Sequence, residues 1–393
     1  MTERDHRATA VALGGAIAIA AALGIGRFVY TPILPFMEDG LGLTKPQAGL
    51  IASANYLGYL IGALFASLAR LPGGQRRWLM SALAVSAVTT GAMALPSSMT
   101  MFMVLRFAGG AASAFVLVLT ASIVLTHAMA AHREGLSGTQ FAGVGVGIAG
   151  SALFVAGLAA LGEGWRMQWF TAGTLSLAAF LVIGWLIPRD GSAPEARAAR
   201  LPTGRIERRL AALIAAYGLF GFGYVITATF ISAIVRESPD VQSIEPVVWV
   251  VVGVAAIPSL ALWAWVAARF GDSASLAIAL LIEAAGVVLS IASTSPAAIL
   301  AAAALLGGTF VGITAVGLGC AQRLGTGDPR RIFALMTVAF GAGQMVGPTF
   351  AGFAYNIGNS FAAPTLIAAA ALVIAAVLVL EWPSLTRQRR PEP

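Results

Sequence analysis

Long apolar runs alternate with short polar interruptions along the whole chain, on a scale too long for strands or for the buried helices of a soluble core. The runs fall near 11–36, 47–68, 78–95, 100–127, 137–160, 167–187, 209–235, 246–268, 275–293, 298–320, 332–355 and 363–382. A helix needs about 20 residues to cross a bilayer core, so the pattern predicts an all-α membrane protein of twelve spanning helices. An even number returns both termini to one side.

One interruption is longer than the rest. Residues 188–208, with Pro194, Pro202 and several arginines, read as a basic linker between two six-helix lobes, 1–187 and 209–393, the second ending in a basic tail. Sliding the second lobe over the first by about 197 to 200 residues aligns local patterns. Gly24-Ile25-Gly26-Arg27 meets Gly221-Phe222-Gly223-Tyr224, and Gly109-Gly110 meets Gly307-Gly308. Gly143 and Gly147 meet Gly343 and Gly347, and His132-Arg133 meets Arg330-Arg331. Six spans per repeat make the repeats parallel, related by a pseudo-two-fold along the membrane normal, as in two-lobed transporters whose site lies between the lobes.

Composition agrees with the pattern. Of 393 residues, 58% are hydrophobic and 10% charged, too little polar surface to close around a soluble core. The 45 glycines suit helices that gain from close backbone approach in lipid. The formal charge of +7 does not imply nucleic acid, because the basic residues are spread over short loops. Alternate loops carry Arg70, Arg76 and Arg77; Arg133; Arg189, Arg197, Arg200, Arg205, Arg208 and Arg209; Arg269; and Arg323, Arg330 and Arg331. With Arg4, Arg7, Arg387, Arg389 and Arg390 at the ends they face only Lys45, Arg166 and Arg236 in the opposite loops, which places both termini in the cytoplasm. One cysteine, Cys320, excludes an internal disulfide, and three histidines beside one thiol make a metal site unexpected. No nucleotide motif is present: Gly24-Ile25-Gly26-Arg27 has no βαβ context, so no cofactor is expected.

Arg27 is the expensive residue of the pattern, since a charge within a span costs roughly 2.5 to 3.5 kcal/mol on insertion scales. Arg106, in the fourth span, and Glu283, near the centre of the ninth, are the other deep charges. At about 1.5 Å per residue both arginines fall some 7 to 10 Å to the outer side of the midplane. No acid lies inside the first six runs, so either a substrate anion supplies the counter-charge or, for Arg106 above all, backbone carbonyls and buried water do. Glu283 reads as a protonated, hydrogen-bonded packing residue or as a proton carrier. Tyr30, Thr31, Asn55, Tyr56, Tyr59, Gln140, Tyr217, Tyr224, Thr227 and Gln344 are neutral polar residues that either contact a ligand or hydrogen-bond between helices.

The stretches GIGRFVYTPILPFM from Gly24 and ANYLGYLIGA from Ala54 resemble the YbfB/YjiJ-type branch of the major facilitator superfamily. At superfamily level, Leu105 to Gly110 is similar to the arginine-glycine motif of proton-coupled members. The loop LARLPGGQRR keeps Gly73, Gly74, Arg76 and Arg77 of the usual second-loop motif but lacks its acid, and the fifth-span glycine-proline motif appears without its proline. The resemblance implies a monomeric secondary transporter of the bacterial inner membrane, with spans 1, 4, 7 and 10 lining a cavity and spans 3, 6, 9 and 12 outside. On that basis Arg27, Tyr30, Thr31, Asn55, Tyr59, Arg106, Gln140, Tyr217, Tyr224, Thr227 and Gln344 form the candidate substrate site, and Arg106 and Glu283 the candidate proton-coupling residues. The expected cargo is a small organic anion moved with protons; efflux of amphiphilic compounds and a non-transporting receptor are the alternatives. No catalytic cluster of His, Asp, Glu or Cys points to an enzyme.

Overall fold

The computed structural model describes residues 3–68, 72, 74–133, 135–188, 206–325 and 329–380. Most of the 188–208 linker, the tail from 381, and Arg70, Gly73, Arg189, Arg197, Arg200, Arg205, Trp382, Arg387, Arg389 and Arg390 lie outside them. The described residues are helical or in turns, with no strand. The helices are α1 (Glu3–Ile19), α2 (Tyr30–Leu41), α3 (Lys45–Leu68), α4 (Gln75–Ala92), α5 (Met99–Ala130), the short α6 (Leu136–Thr139), α7 (Ala142–Ala160) and α8 (Trp165–Leu186). The second half of the chain forms α9 (Arg208–Arg236), α10 (Glu245–Phe270), α11 (Asp272–Ala292), α12 (Pro296–Leu324), α13 (Pro329–Gly358) and α14 (Ala362–Leu380).

Eleven of these stretches, the first running Asp5–Leu41 through α1 and α2, are long and apolar enough to cross a membrane. The remaining expected span, α4, is 18 residues long and starts on Gln75, Arg76 and Arg77. It packs between α5 and α8. The first span outruns its expected limits because the polar residues Glu38 and Asp39 stay helical; Gly42, at φ +64°, then takes the left-handed conformation that ends the helix.

Glycine sets how closely the helices approach. A Cβ on Gly143 or Gly147 of α7 would lie 2.1 Å from Ala16 O and 2.4 Å from Ala20 O of the first span. One on Gly343 of α13 would lie 2.2 Å from Gly218 O of α9. The aligned glycines of the two halves therefore make the same kind of backbone contact. Between halves, α3 runs along α13 and α7 along α10.

The second-loop arginines find partners without an acid. Arg76 donates from Nε to Ile187 O at 2.9 Å and from Nη2 to Gly184 O at 2.7 Å, so it holds carbonyls left open at the end of α8. Arg166 does the same at the opposite ends of the helices, donating to Ala94 O at 2.6 Å.

Candidate functional site

The site begins with a break in the first span. After α1 the backbone widens into a π-helical turn, Ala20–Ile25, in which Gly26 N–H donates to Ala21 O and Phe28 N–H to Leu23 O. Pro32 has no N–H, and Thr31 N–H donates to Phe28 O in place of Arg27 O. The carbonyls of Gly26 and Arg27 are thus left for a side chain. Such turns relieve a local mismatch at the cost of regular bonding and gather at functional positions.

Arg106 takes both. Its Nη1 donates to Gly26 O and its Nη2 to Arg27 O, each at 3.0 Å, while its guanidinium lies 5.1 Å from the Tyr30 ring centroid and 5.8 Å from that of Trp169. Asn55 Nδ2 donates to Arg106 O at 2.8 Å, a geometry reached because Gly110 lets α5 close onto Asn55 O. Of the two readings open for Arg106, carbonyls rather than a ligand occupy its terminal nitrogens.

Arg27 is placed differently. It is 4% exposed, and its guanidinium lies 4.1 Å from the Tyr59 ring centroid, 4.6 Å from that of Tyr56 and 5.3 Å from that of Phe28. Its Nη2 donates to Gln344 Oε1 at 2.8 Å, and its Nε has no partner. Gln344 in turn donates from Nε2 to the Tyr224 hydroxyl. Among the described residues neither arginine pairs with a carboxylate. A desolvated cation over aromatic faces gains about 2 kcal/mol or more, which offsets only part of the cost of burying it.

The remaining candidates separate by partner. Tyr30 donates to Ala48 O at 2.9 Å, Thr31 to Ala228 O at 2.7 Å and Tyr217 to Thr314 O at 3.0 Å. Of these, Thr31 ties α2 to α9. Thr227 Oγ1 is buried without a partner, and Gln140, between α6 and α7, points toward Gly15 of α1. Glu283 is fully buried on α11 and neither carboxyl oxygen is hydrogen-bonded, so the hydrogen-bonded form of the packing reading is not what the structure holds.

Two features escaped the sequence reading. An aromatic wall adjoins Arg27: Tyr224 lies between Phe310 and Phe340, nearly parallel to both (5° and 3°) with centroids 5.8 Å away on each side, and Phe28 meets Phe310 at 6.1 Å. Single phenylalanines in apolar runs gave no signal. The second feature is a charged cluster where the α2–α3 and α9–α10 connections meet. Lys45 pairs with Glu38 at 2.8 Å and Glu237 at 2.6 Å, and Arg236 pairs with Asp39 at 3.1 Å. The proximity of these charges to one predicted membrane face was visible in the sequence, but their pairing was not.

Eleven membrane-length helices, with a buried guanidinium that has no carboxylate partner where the two halves of the chain meet, make this a multi-pass membrane protein. The chain belongs to the family described as uncharacterised MFS-type transporter YbfB, whose model matches residues 19–380. No curated protein matches the sequence. Among solved structures, the nucleoside transporter NupG superposes with a TM-score of 0.72 at 15% identity, covering 95% of this chain and 100% of that one. A mutant form of NupG superposes at 0.73 and 14% identity, covering 94% of this chain and 99% of that one. At these identities the likeness concerns the fold.

Proposed function

We propose that the chain is a twelve-span, two-lobed transporter of the bacterial inner membrane, with both termini cytoplasmic, acting as a monomer. It moves a small organic anion by alternating access, coupled to protons. The observation that carries the anion is Arg27: a buried guanidinium with aromatic faces around it, a neutral amide as its hydrogen-bond acceptor and an unpartnered Nε. A transported carboxylate or similar group supplies the missing charge, and Gln344, which reaches Arg27 from the other lobe, releases it as the lobes rock. Tyr56, Tyr59 and Tyr224 border the same place, with Thr227 three residues beyond Tyr224 on α9, whereas Arg106 holds the broken helix in shape.

On this reading the structure is closed at the outer face. The ion pairs of Lys45 and Arg236, the Thr31 bond to Ala228 O and the packing of Phe28 against Trp249 and Phe310 lie in succession between that face and Arg27. Glu283, buried with no cation beside it, supplies the proton site. The nucleoside named for the structural neighbours is neutral and would leave Arg27 uncompensated, which is why an anion is preferred. An amphiphile-efflux role would tolerate loss of the Arg27 charge.

A thermal-shift screen of metabolite anions, uridine and cationic dyes against purified protein tests this. An anion should raise the melting temperature of the wild type and not of Arg27→Gln. Stabilisation by uridine or dyes alone, undiminished in Arg27→Gln, would overturn the anion.

A further inference from the structure

The arrangement around Arg27 points to a narrower cargo, resting on the anion reading above: we infer that the site takes a planar aromatic monocarboxylate. The first ground is the edge of the guanidinium that is on offer. Nε and Nη2 lie on one side of the group and present two parallel N–H bonds, spaced to receive the two oxygens of a carboxylate. Gln344 brings one oxygen to Nη2, and the neighbouring Nε is buried without a partner. A carboxylate replaces that single amide oxygen with a pair and satisfies both donors. The displaced Gln344 keeps its bond to the Tyr224 hydroxyl.

The second ground is charge. Both Nη atoms of Arg106 are held by Gly26 O and Arg27 O and only its Nε lacks a partner, whereas Arg27 Nη2 meets a side-chain amide that can swing away, so Arg27 is the cation a cargo engages. A second carboxylate or a phosphate dianion would bring a further charge among Tyr56, Tyr59 and Phe28, where the Nη atoms of the neighbouring Arg106 are already taken by carbonyls. Burying an uncompensated charge is strongly unfavourable, so one negative charge is selected.

The third ground is the wall. Phe28 continues through Phe310 into a stack in which Tyr224 is covered by Phe310 and Phe340, so the rings that border the carboxylate position are Phe28, Tyr56 and Tyr59. Ring faces favour a flat body over a puckered one of the same size, since offset stacking adds about 0.5–1.5 kcal/mol beyond area burial.

The test is a binding series on the purified full chain by titration calorimetry, using benzoate, cyclohexanecarboxylate, benzamide, phthalate and phenyl phosphate. Benzoate should bind at least tenfold more tightly than phthalate, phenyl phosphate and cyclohexanecarboxylate, and benzamide should not bind. Arg27→Lys, which keeps the charge and loses the two-pronged edge, should weaken benzoate at least tenfold while retaining the wild-type melting temperature within a few degrees. Phthalate or phenyl phosphate binding as tightly as benzoate, in an Arg27-dependent way, overturns the monocarboxylate and leaves the anion site standing. Equal binding of cyclohexanecarboxylate overturns the planar body. Binding of none of the anions, with benzamide bound, removes the anion site itself.

Discussion

Arg27 and Tyr224 meet on the two ends of one side-chain amide: Arg27 Nη2 donates to Gln344 Oε1, and Gln344 Nε2 donates to the Tyr224 hydroxyl. Arg27 and Gln344 are 317 positions apart, and Arg27 and Tyr224 occupy equivalent places in the half-length repeat of the sequence. Two positions that the sequence alignment of the halves pairs, a cation and a phenol, thus share one side-chain amide.

Gln344→Glu puts a carboxylate where the amide oxygen now accepts from Arg27. The ligand-free variant should melt higher than the wild type, because a buried pair replaces a buried lone charge, and its affinity for anions should fall at least tenfold. Calorimetric titration and a melting curve check both. Unchanged anion affinity would mean that the cargo does not compete with residue 344 for Arg27.

Arg106→Ala separates scaffold from site. It removes two charge-assisted hydrogen bonds that satisfy Gly26 O and Arg27 O at the break in the first span. At roughly 1.5 to 3 kcal/mol for such bonds, a loss of about 3 kcal/mol or more in folding stability is expected. Arg27→Gln should leave the melting temperature near that of the wild type. Equal, small effects of the two substitutions on melting would contradict this division.

Much of this division was legible beforehand. Eleven of the twelve apolar runs correspond to helices long and apolar enough to cross a membrane, the first of them running five or six residues past each expected end, and Arg27, Arg106 and Glu283 stand out because charge in lipid is costly. What the sequence left open for Arg106 was its partner. That partner is backbone, freed by a π-helical turn and by Pro32, and a bonding shift of one residue leaves no mark in hydrophobic periodicity. The Phe310–Tyr224–Phe340 stack was equally silent, since it assembles rings from three helices.

The close helix contacts give a paired prediction. A Cβ on Gly147 would lie 2.4 Å from Ala20 O, whereas one on Gly150 of the same helix meets nothing within 4 Å. Gly147→Ala should destabilise by about 1 to 3 kcal/mol in a melting assay, as overpacking does, and Gly150→Ala should be neutral or slightly stabilising. The reverse order would mean that α7 does not seat on the first span as described.

The charged cluster of Asp39, Arg236, Lys45 and Glu237 should act as a latch. The Arg236–Asp39 pair, with the Asp39 side chain 67% exposed, is worth about 1 kcal/mol or less, enough to shift a conformational balance roughly fivefold without unfolding the chain. In a Cys320→Ser background carrying Thr227→Cys, Asp39→Arg should speed labelling by an impermeant maleimide two- to fivefold from the outer side. Adding Arg236→Asp should restore the original rate. Failure of the exchanged pair to restore it would exclude a latch at this contact.

Glu283→Gln removes the titratable group and keeps its shape. In proteoliposomes, uptake driven by an imposed pH gradient should be lost while exchange of labelled for unlabelled solute persists. Uptake that still follows the pH gradient would assign the proton to another residue.

The most direct measurement is flux. Purified protein in liposomes, loaded with the anion that stabilises it best, should exchange that anion with label outside at a rate well above protein-free liposomes. Arg27→Gln, folded and reconstituted to the same density, should reduce the rate at least a hundredfold. Exchange by Arg27→Gln at the wild-type rate would contradict the role given to this buried guanidinium.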